Sequence, residues 1–366
     1  MTAPSIGVYI HVPYCKLLCP YCDFVKKPAK DPAALTAFTL ALCDEIARFD
    51  GPDNVTTVFF GGGTPSLLAP AELDRIFDAL HRRFHLNAHE ISFEVNPDDV
   101  TADALASWKK VGINRVSLGV QSFDDAVLRY LGRVHDAATA KVACARLADS
   151  FENWNIDLMF GAPPIPSWTQ SLRSAIDLAP AHVSTYGLTY EPNTPFARRA
   201  NEAIDDDVYV DLYREADALL NEAGFVHYEV SNFARPAYQS EHNLLYWHNL
   251  EYAGFGPGAY SFLGDVRSRN QPGISAYEKE PGVKAEALTL SPREVRIETV
   301  LQHFRLKDGL PRARYLARFG CDVEDDFGST LQALYSRGLL ACDASRIWPT
   351  TRGFELNNEI GLAVVE

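Results

Sequence analysis

Short runs of β-branched and aromatic residues alternate with amphipathic stretches as far as residue 223, and this alternation constrains the fold more than any other feature. The apolar runs cover residues 6–12, 55–60, 90–95, 113–118, 156–160 and 182–189. The amphipathic stretches cover residues 33–49, 70–84, 102–111, 124–131 with 137–149, 168–178 and 206–223. Strands that alternate with helices predict right-handed crossovers and a parallel sheet. Periodicity alone leaves an open barrel and a doubly wound sheet as alternatives.

The pattern changes after residue 232. A turn-rich patch at 254–258 and an apparent loop at 268–273 are followed by predicted helices at 292–304, 312–319 and 323–337. Residues 339–342 and 346–349 then read as a hairpin before a last helix. We therefore predict a barrel domain at 1–235, a connecting segment at 236–290 and a smaller, winged-helix-like α+β domain at 291–366. We expect the last domain to serve packing or partner binding rather than DNA binding.

Charge and composition exclude several classes of function. The 34 basic and 48 acidic residues give a net charge of −14, which argues against a chain that binds nucleic acid or anionic lipid through Lys and Arg. No apolar run is long enough to cross a membrane, and residues 1–12 lack the basic and long apolar regions of a signal peptide. Seven cysteines, an odd number, fit reduced thiols or a metal site. We expect a cytoplasmic protein without a nucleic-acid partner.

The strongest chemical signal is a cysteine triplet, Cys15, Cys19 and Cys22, directly after the first predicted strand. Loops at the C-terminal ends of parallel strands are where α/β enzymes place their chemistry. Three thiolates within eight residues can hold a soft metal centre, and on a four-iron cluster they leave one iron open to another ligand. The alternatives are a structural zinc site that recruits His11 and three ordinary cysteines.

The spacing Cys-x₃-Cys-x₂-Cys, with Tyr21 before the third cysteine, resembles the signature of the radical SAM family. The resemblance implies a [4Fe-4S] cluster on Cys15, Cys19 and Cys22, with S-adenosylmethionine (SAM) chelated by the open iron. It also implies that an electron from the cluster cleaves SAM to a 5′-deoxyadenosyl radical. The fold that it implies is a partial (β/α)6 TIM-like barrel, which resolves the choice that periodicity leaves open.

Further motifs follow the next predicted strands. The glycine stretch 61–65 lets backbone approach a ligand closely, although a tight turn would need the same residues. Glu94, Gln121, Arg133 and Asp157 stand near strand ends, where they supply acceptors for ribose hydroxyls and a guanidinium for a carboxylate. Each of them alone could be a helix cap or a surface ion pair, but their placement near successive strand ends favours one shared mouth.

Together with residues 182–194, these segments resemble the coproporphyrinogen oxidase-like branch of the radical SAM family. That resemblance runs from Tyr9 to the C-terminus. The residues that it implies for the SAM site are Tyr9, Tyr21, Gly62, Gly63, Thr64, Glu94, Gln121, Arg133, Asp157, Tyr186 and Leu188.

Two kinds of protein in this branch compete, the oxygen-independent coproporphyrinogen III oxidases and the heme chaperones. Phe24 stands where the oxidases have a fourth cysteine, and we expect no oxidase-like extension before the first strand. Residues 241–247 match a His-Asn-x-x-Tyr-Trp segment of the chaperones, which makes His242 the candidate heme ligand. Against this, His242 could simply anchor a domain junction, and Tyr260 replaces a histidine that is frequent in the chaperones, with His248 a nearby substitute.

We therefore expect a heme chaperone that keeps a cluster and a SAM site. Its partners would be heme, heme-accepting proteins with membrane-associated recipients among them, and an electron donor. The alternative is an oxidase or another radical SAM enzyme that acts on a porphyrin-related substrate. A zinc-stabilised binding module is a third, non-enzymatic possibility.

Overall fold

The computed structural model describes residues 5–365 and contains one large sheet with helices and a smaller C-terminal unit. The strands are β1 Ser5–Val12, β2 Tyr14–Cys15, β3 Lys27–Pro28, β4 Asn54–Gly62, β5 His85–Val95, β6 Arg115–Gln121, β7 Asn153–Phe160, β8 His182–Gly187, β9 Val226–Glu229, β10 Asn232–Ala234, β11 Tyr252–Phe255, β12 Tyr260–Leu263, β13 Val266–Asn270, β14 Lys284–Thr289, β15 Leu310–Pro311, β16 Leu340–Cys342 and β17 Arg346–Pro349. The α-helices are α1 Pro32–Arg48, α2 Pro70–Arg83, α3 Ala102–Lys110, α4 Asp125–Tyr130, α5 Ala137–Ala148, α6 Ser167–Asp177, α7 Asp206–Glu222, α8 Glu241–Trp247, α9 Ile274–Lys279, α10 Pro292–His303, α11 Arg312–Phe319, α12 Val323–Ser336, α13 Thr351–Glu355 and α14 Asn357–Val365. Short 3₁₀ helices lie at Pro65–Leu67, Pro97–Asp99 and Pro195–Glu202.

Six parallel strands form the centre of the sheet in the order β1, β4, β5, β6, β7, β8. Neighbouring strands are also consecutive along the chain apart from the short β2 and β3, and helices connect them. This is the arrangement of an open (β/α)6 barrel, so the predicted fold class is confirmed. Each predicted strand and helix of this part forms, with ends that differ by a few residues. Val8, Ile10 and Phe60 are fully buried between strands and helices, as the apolar runs predict.

The sheet continues beyond the six strands on both sides, to twelve strands in all. On one side β10 and β9 add antiparallel strands after β8. On the other side β11 pairs parallel with β1, and β12, β13 and β14 follow antiparallel. The prediction of a loop at 268–273 was therefore wrong in its first half, because β13 occupies Val266–Asn270. Its polar sequence carries no apolar alternation, and backbone pairing to strands on both sides makes it a strand.

A buried carboxylate joins this strand extension to the barrel. Glu45 of α1 is 5% exposed and accepts hydrogen bonds from the Gly256 N–H at 2.9 Å, Asn270 Nδ2 at 2.7 Å and the Tyr277 hydroxyl at 2.6 Å. Those three donors lie after β11, at the end of β13 and in α9. One side chain of the first helix therefore satisfies buried polar groups from three later elements.

The C-terminal part has an apolar core of its own, centred on Val300, Leu310, Leu331 and Ile347. The predicted hairpin forms, since β16 pairs antiparallel with β17, and β15 adds a third strand. α10, α11 and α12 match the three predicted helices closely. The domain boundaries at 235 and 290 stay a prediction. Within residues 5–365, no helix combines the length and apolar character needed to span a bilayer.

Candidate functional site

The cysteine loop leaves the sheet at the C-terminal end of β1 and is closed at its base. Cys15 lies in β2, which pairs with β3, so that residues 16–26 project as one loop. His11 holds the loop from inside, because its Nε2 donates to the Val25 carbonyl at 2.7 Å and its Nδ1 accepts from the Tyr9 hydroxyl at 3.0 Å. Both nitrogens of His11 are thus occupied, and this histidine is not available as a fourth metal ligand.

The three cysteines of the loop lie at the mouth of one cavity. Burial raises the pKa of the Cys15 thiol, and a hydrogen bond with Thr64 partly offsets that effect. Arg133 Nη1 donates to Cys19 Sγ at 3.4 Å, which places a positive charge beside a sulfur ligand. Within residues 5–365, no group of three or more His, Cys, Asp or Glu side chains is arranged around a point where a single metal ion could sit. The donor set fits a multi-iron cluster better than a structural zinc ion.

Gly62, the last residue of β4, and Gly63, which follows it, pack against the segment that leads into the cysteine loop. A Cβ on Gly63 would come within 2.6 Å of the Val12 carbonyl oxygen and 2.7 Å of the Tyr14 carbonyl oxygen. Gly62 has a φ of +103°, and a Cβ there would lie 2.4 Å from the His11 ring. The local packing requires glycine at both positions whether or not a ligand binds, so these glycines alone do not identify a SAM site.

The cavity has a volume of about 360 Å³ and opens at the C-terminal ends of the parallel strands. It is lined by all the predicted site residues except Tyr9, Leu188 and His242. Its inner wall comes from alternate residues of three strands, which are Arg115, Ser117, Gly119 and Gln121 of β6, Asn155, Asp157 and Met159 of β7, and His182, Ser184 and Tyr186 of β8. Side chains alternate between the two faces of a strand, so these residues face the barrel interior while Val116, Leu118 and Ile156 face the helices.

Most of the interior residues were missed by the sequence reasoning. Arg115, Asn155 and Ser184 line the cavity, and so does Asn96 directly after β5. A signal for them exists, since polar residues stand at every second position of otherwise apolar strands. Reading the strands at a period of two would have found them.

Arg133 is the guanidinium that the cavity offers to a carboxylate. Its Nη2 donates to Asn96 Oδ1 at 2.6 Å and to the Gly119 carbonyl at 2.8 Å, which fixes the plane of the group. Its Nε is buried and has no partner among residues 5–365. The cavity wall therefore carries a rigidly held guanidinium, the group that pairs best with a carboxylate such as that of SAM.

Two carboxyl groups, Glu94 and Asp157, share the cavity wall. Glu94 Oε2 accepts the Gly62 N–H at 3.1 Å, and Asp157 accepts from the Ser117 hydroxyl at 3.0 Å. Burial, with a smaller contribution from the charge of Asp157, raises the pKa of Glu94 to about 8. Burial also raises the pKa of Asp157. Glu94 is therefore largely protonated at neutral pH and can donate to a ligand hydroxyl.

Stability should fall with rising pH because of Glu94. Its pKa is raised from 4.5 to about 8, so the folded chain binds this proton more tightly than the unfolded chain. The contribution is complete below pH 4.5 and is lost as the pH rises through 8. We expect Glu94→Gln to flatten the slope of unfolding free energy against pH between 6 and 8.5 by up to about 1.4 kcal/mol per unit.

The measurement is urea unfolding of ligand-free protein at several pH values, with the exposed Glu222→Gln as the control. Some slope should remain, because burial also raises the pKa of Glu229 to about 7. Equal slopes for the two variants would contradict the role assigned to Glu94.

Three predicted site residues lie behind the cavity wall rather than on it. Tyr9 stacks on Phe59 with ring centroids 6.2 Å apart, and Phe59 forms the wall. Leu188 packs in a small apolar cluster against which Tyr21 rests. In the structure, Tyr9 and Leu188 therefore support residues that line the cavity, and their contact with SAM stays a prediction.

His242 is fully buried on the outer side of Phe59, with its ring stacked at a centroid distance of 5.3 Å. Its Nδ1 is 2.7 Å from Thr57 Oγ1, and its Nε2 is 2.8 Å from the Tyr246 hydroxyl. Burial lowers its pKa to about 3, so the ring is neutral. A neutral imidazole is the form that ligates iron, but neither nitrogen is free in this conformation.

Two segments of the chain match known protein families. Residues 9–169 match the radical SAM superfamily, and residues 290–356 match the HemN C-terminal domain. The heme chaperone HemW of Escherichia coli (strain K12) is 35% identical over 95% of this chain and 94% of its own length. The heme chaperone HemW of Lactococcus lactis subsp. lactis is 32% identical over 97% of this chain and 96% of its own length.

Among solved structures, the coproporphyrinogen III oxidase (HemN) from Escherichia coli, a radical SAM enzyme, superposes with a TM-score of 0.85. The match covers 99% of this chain and 90% of that chain at 24% identity, so it supports the fold only. The two HemW relatives exceed 30% identity over nearly the whole sequence. With a cysteine triplet at the mouth of a polar barrel cavity, the chain belongs to the radical SAM superfamily and, within it, to the HemW family.

Proposed function

We propose that this protein is a heme chaperone, which binds heme and transfers it to target proteins while it carries a [4Fe-4S] cluster and SAM. The observation that carries the proposal is end-to-end similarity to proteins named heme chaperone HemW. Phe24 supports the same choice, because an exposed phenyl ring occupies the position where an oxidase would have a fourth sulfur. The oxidase-like enzyme is the alternative that the experiment below tests.

The cofactors belong to the cavity and its mouth. Cys15, Cys19 and Cys22 would hold the cluster, and the guanidinium of Arg133 would pair with the SAM carboxylate. Glu94 would meet a hydroxyl or amino group of SAM. When bound, the cluster supplies the electron that cleaves SAM in radical SAM proteins. The residues of this chain hold the ligand, orient its carboxylate and keep Glu94 largely protonated at neutral pH.

The proposed partners are an electron donor and the proteins that accept heme, some of which are membrane-associated. We place the protein in the cytoplasm, and its seven unpaired cysteines fit a reducing compartment.

Anaerobic titration of reconstituted protein with heme, followed by absorption, tests the function. We expect one heme per chain, and we expect no protoporphyrinogen when coproporphyrinogen III, SAM and a reductant are supplied. Formation of protoporphyrinogen would overturn the chaperone assignment in favour of the oxidase. The absence of saturable heme binding would also overturn it.

The role of His242 can be tested without removing the histidine. If its Nε2 ligates heme iron, the ring must first lose its hydrogen bond with the Tyr246 hydroxyl. Tyr246→Phe removes that competing bond of about 1 kcal/mol and should speed heme association about fivefold. Stopped-flow absorption measures the rate, and His242→Ala should abolish the ligand-specific part of the heme spectrum.

Tyr130→Phe is the control, because the hydroxyl that it removes bonds to Tyr190 and Glu202 and not to a residue of α8. If His242→Ala leaves the spectrum of bound heme unchanged, His242 is a packing residue and not the iron ligand.

A further inference from the structure

A second cavity lies where the C-terminal unit meets the segment that follows α8. Its volume is about 350 Å³, and it is separate from the cysteine-lined cavity. The residues around it are His248, Asn249, Leu250, Glu251, Thr299, His303, Leu310, Arg314, Tyr315, Ala317 and Arg318. Four of these side chains can carry positive charge and one, Glu251, can carry negative charge. In a chain with a net charge of −14, such a concentration of basic groups is unusual.

The basic groups of this cavity have few partners. Arg318 Nη1 donates to the Asn249 carbonyl at 2.9 Å, which leaves its other donors available. Arg314 lies one turn earlier on the same face of α11, and burial together with the charge of Arg318 lowers its pKa. Arg314 lines the cavity without a side-chain hydrogen bond or ion pair among the described residues, whereas Asp265, Glu251 and Glu298 act on Arg318. An anion in the cavity would therefore meet Arg314 as its main charged partner, with Arg318 beside it.

His303 supplies an independent observation. The residue is 1% exposed, and its Nδ1 donates to the Thr299 carbonyl at 2.7 Å. Its Nε2 is buried and has no hydrogen-bond partner among the described residues. The ring of His248 lies 5.5 Å from it, between centroids. A buried nitrogen without a partner is costly, and it becomes a donor to an anion once it takes up a proton.

We propose that this basic cavity binds an oxyanion, a carboxylate or an inorganic anion, between Arg314, Arg318 and His303. Leu250, Leu310 and Ala317 give the cavity apolar walls, which suit a carboxylate attached to an apolar body. A propionate of heme has that chemistry, and this choice of source rests on the proposed function. The oxyanion site itself does not depend on it.

Sulfate is the probe, because it keeps the same charge between pH 6 and 8. Isothermal titration calorimetry of the full-length protein should show one saturable sulfate site. Arg314→Gln should weaken binding at least tenfold, as expected for the loss of one charge-assisted hydrogen bond. It breaks no hydrogen bond of the described residues, so the fold should be retained. Arg293→Gln, which removes an exposed charge from α10 in the same unit, is the matched control.

Proton uptake gives a readout that a structural role would not move. Burial, with the charges of His248, Arg314 and Arg318, lowers the pKa of His303 to about 3, so the ring is neutral before the anion binds. Titrations at pH 5, where sulfate keeps its charge, in two buffers of different ionisation enthalpy should report a proton taken up with sulfate, and His303→Asn should lose it. The charged groups that face His303 in this cavity are His248 from the end of α8, Arg314 and Arg318 from α11, and Glu251. No saturable sulfate site, or equal affinities for Arg314→Gln and Arg293→Gln, would overturn the proposal.

Competition identifies the source of the anion. If a propionate of heme occupies the site, heme should displace sulfate and heme dimethyl ester should not. If neither displaces sulfate, the site takes a free anion, and the oxyanion site still stands. Heme binding without a sulfate site would overturn this inference and leave the chaperone proposal intact. A sulfate site without heme binding would support this inference and overturn the chaperone proposal.

Discussion

Replacing any one of Cys15, Cys19 and Cys22 with alanine is expected to abolish the brown iron–sulfur chromophore after anaerobic reconstitution. The three side chains are drawn together at one cavity mouth from a single loop, and a cluster with two protein ligands left would lose its defined site. We expect iron and sulfide contents below about a tenth of the wild-type level. Iron and sulfide assays, together with the visible absorption spectrum, measure the effect.

Cys342→Ala is the matched control, because Cys342 is an exposed cysteine in the C-terminal unit. It should reconstitute like the wild type. Wild-type cluster content in a Cys19→Ala protein would remove the triplet from the metal site, and the SAM site would lose its basis. The thermal stability of the Cys19→Ala and Cys22→Ala variants should change little, since residues 16–26 form a loop outside the main apolar core.

The largest loss of stability is expected from Glu45→Ala. This substitution leaves the Gly256 N–H, the Asn270 amide and the Tyr277 hydroxyl without their acceptor in a buried site. Each unsatisfied buried donor costs about 1 to 3 kcal/mol, so the total is on the order of 4 kcal/mol. Urea unfolding, followed by circular dichroism, measures it.

Asp44→Ala provides the comparison on the same helix. Asp44 is exposed and forms an ion pair with Arg48, so its loss should cost less than about 1 kcal/mol. If both substitutions cost the same, the Glu45 network does not hold the strand extension to the barrel. Glu45→Ala should also raise the protease sensitivity of residues 256–290, because the acceptor that ties them to α1 is gone.

The barrel itself was predictable from the sequence because its strands and helices carry strong local signals. The six parallel strands are apolar on the face that meets the helices, and Asp31 and Pro32 mark the start of α1 as an N-cap and first residue. The spacing of Cys15, Cys19 and Cys22 alone indicated a site for a metal cluster. Tertiary geometry then brought Glu94, Gln121, Arg133 and Asp157 to one cavity, as their positions near strand ends predicted.

The remaining features depend on contacts that no short segment encodes. β14, Lys284–Thr289, is exposed along its whole length and is a strand only because β13 lies beside it. His242 looked like a free ligand in sequence, whereas Thr57 and Tyr246 engage both of its nitrogens. The basic cavity was also missed, because its members come from residues that are up to 70 positions apart, between His248 and Arg318.

The position of β1 inside the sheet has a consequence for biosynthesis. One edge of β1 pairs with β4, which follows soon in the chain. The other edge pairs with β11, where Gly7 lies opposite Tyr252. At translation rates of 5 to 20 residues per second, roughly 12 to 50 s separate the emergence of these two partners. During that interval the backbone N–H and C=O groups along one edge of β1 have no partner strand in the nascent chain. Nascent chains of this protein should therefore depend on holding factors that shield the first strand until residue 255 has left the exit tunnel.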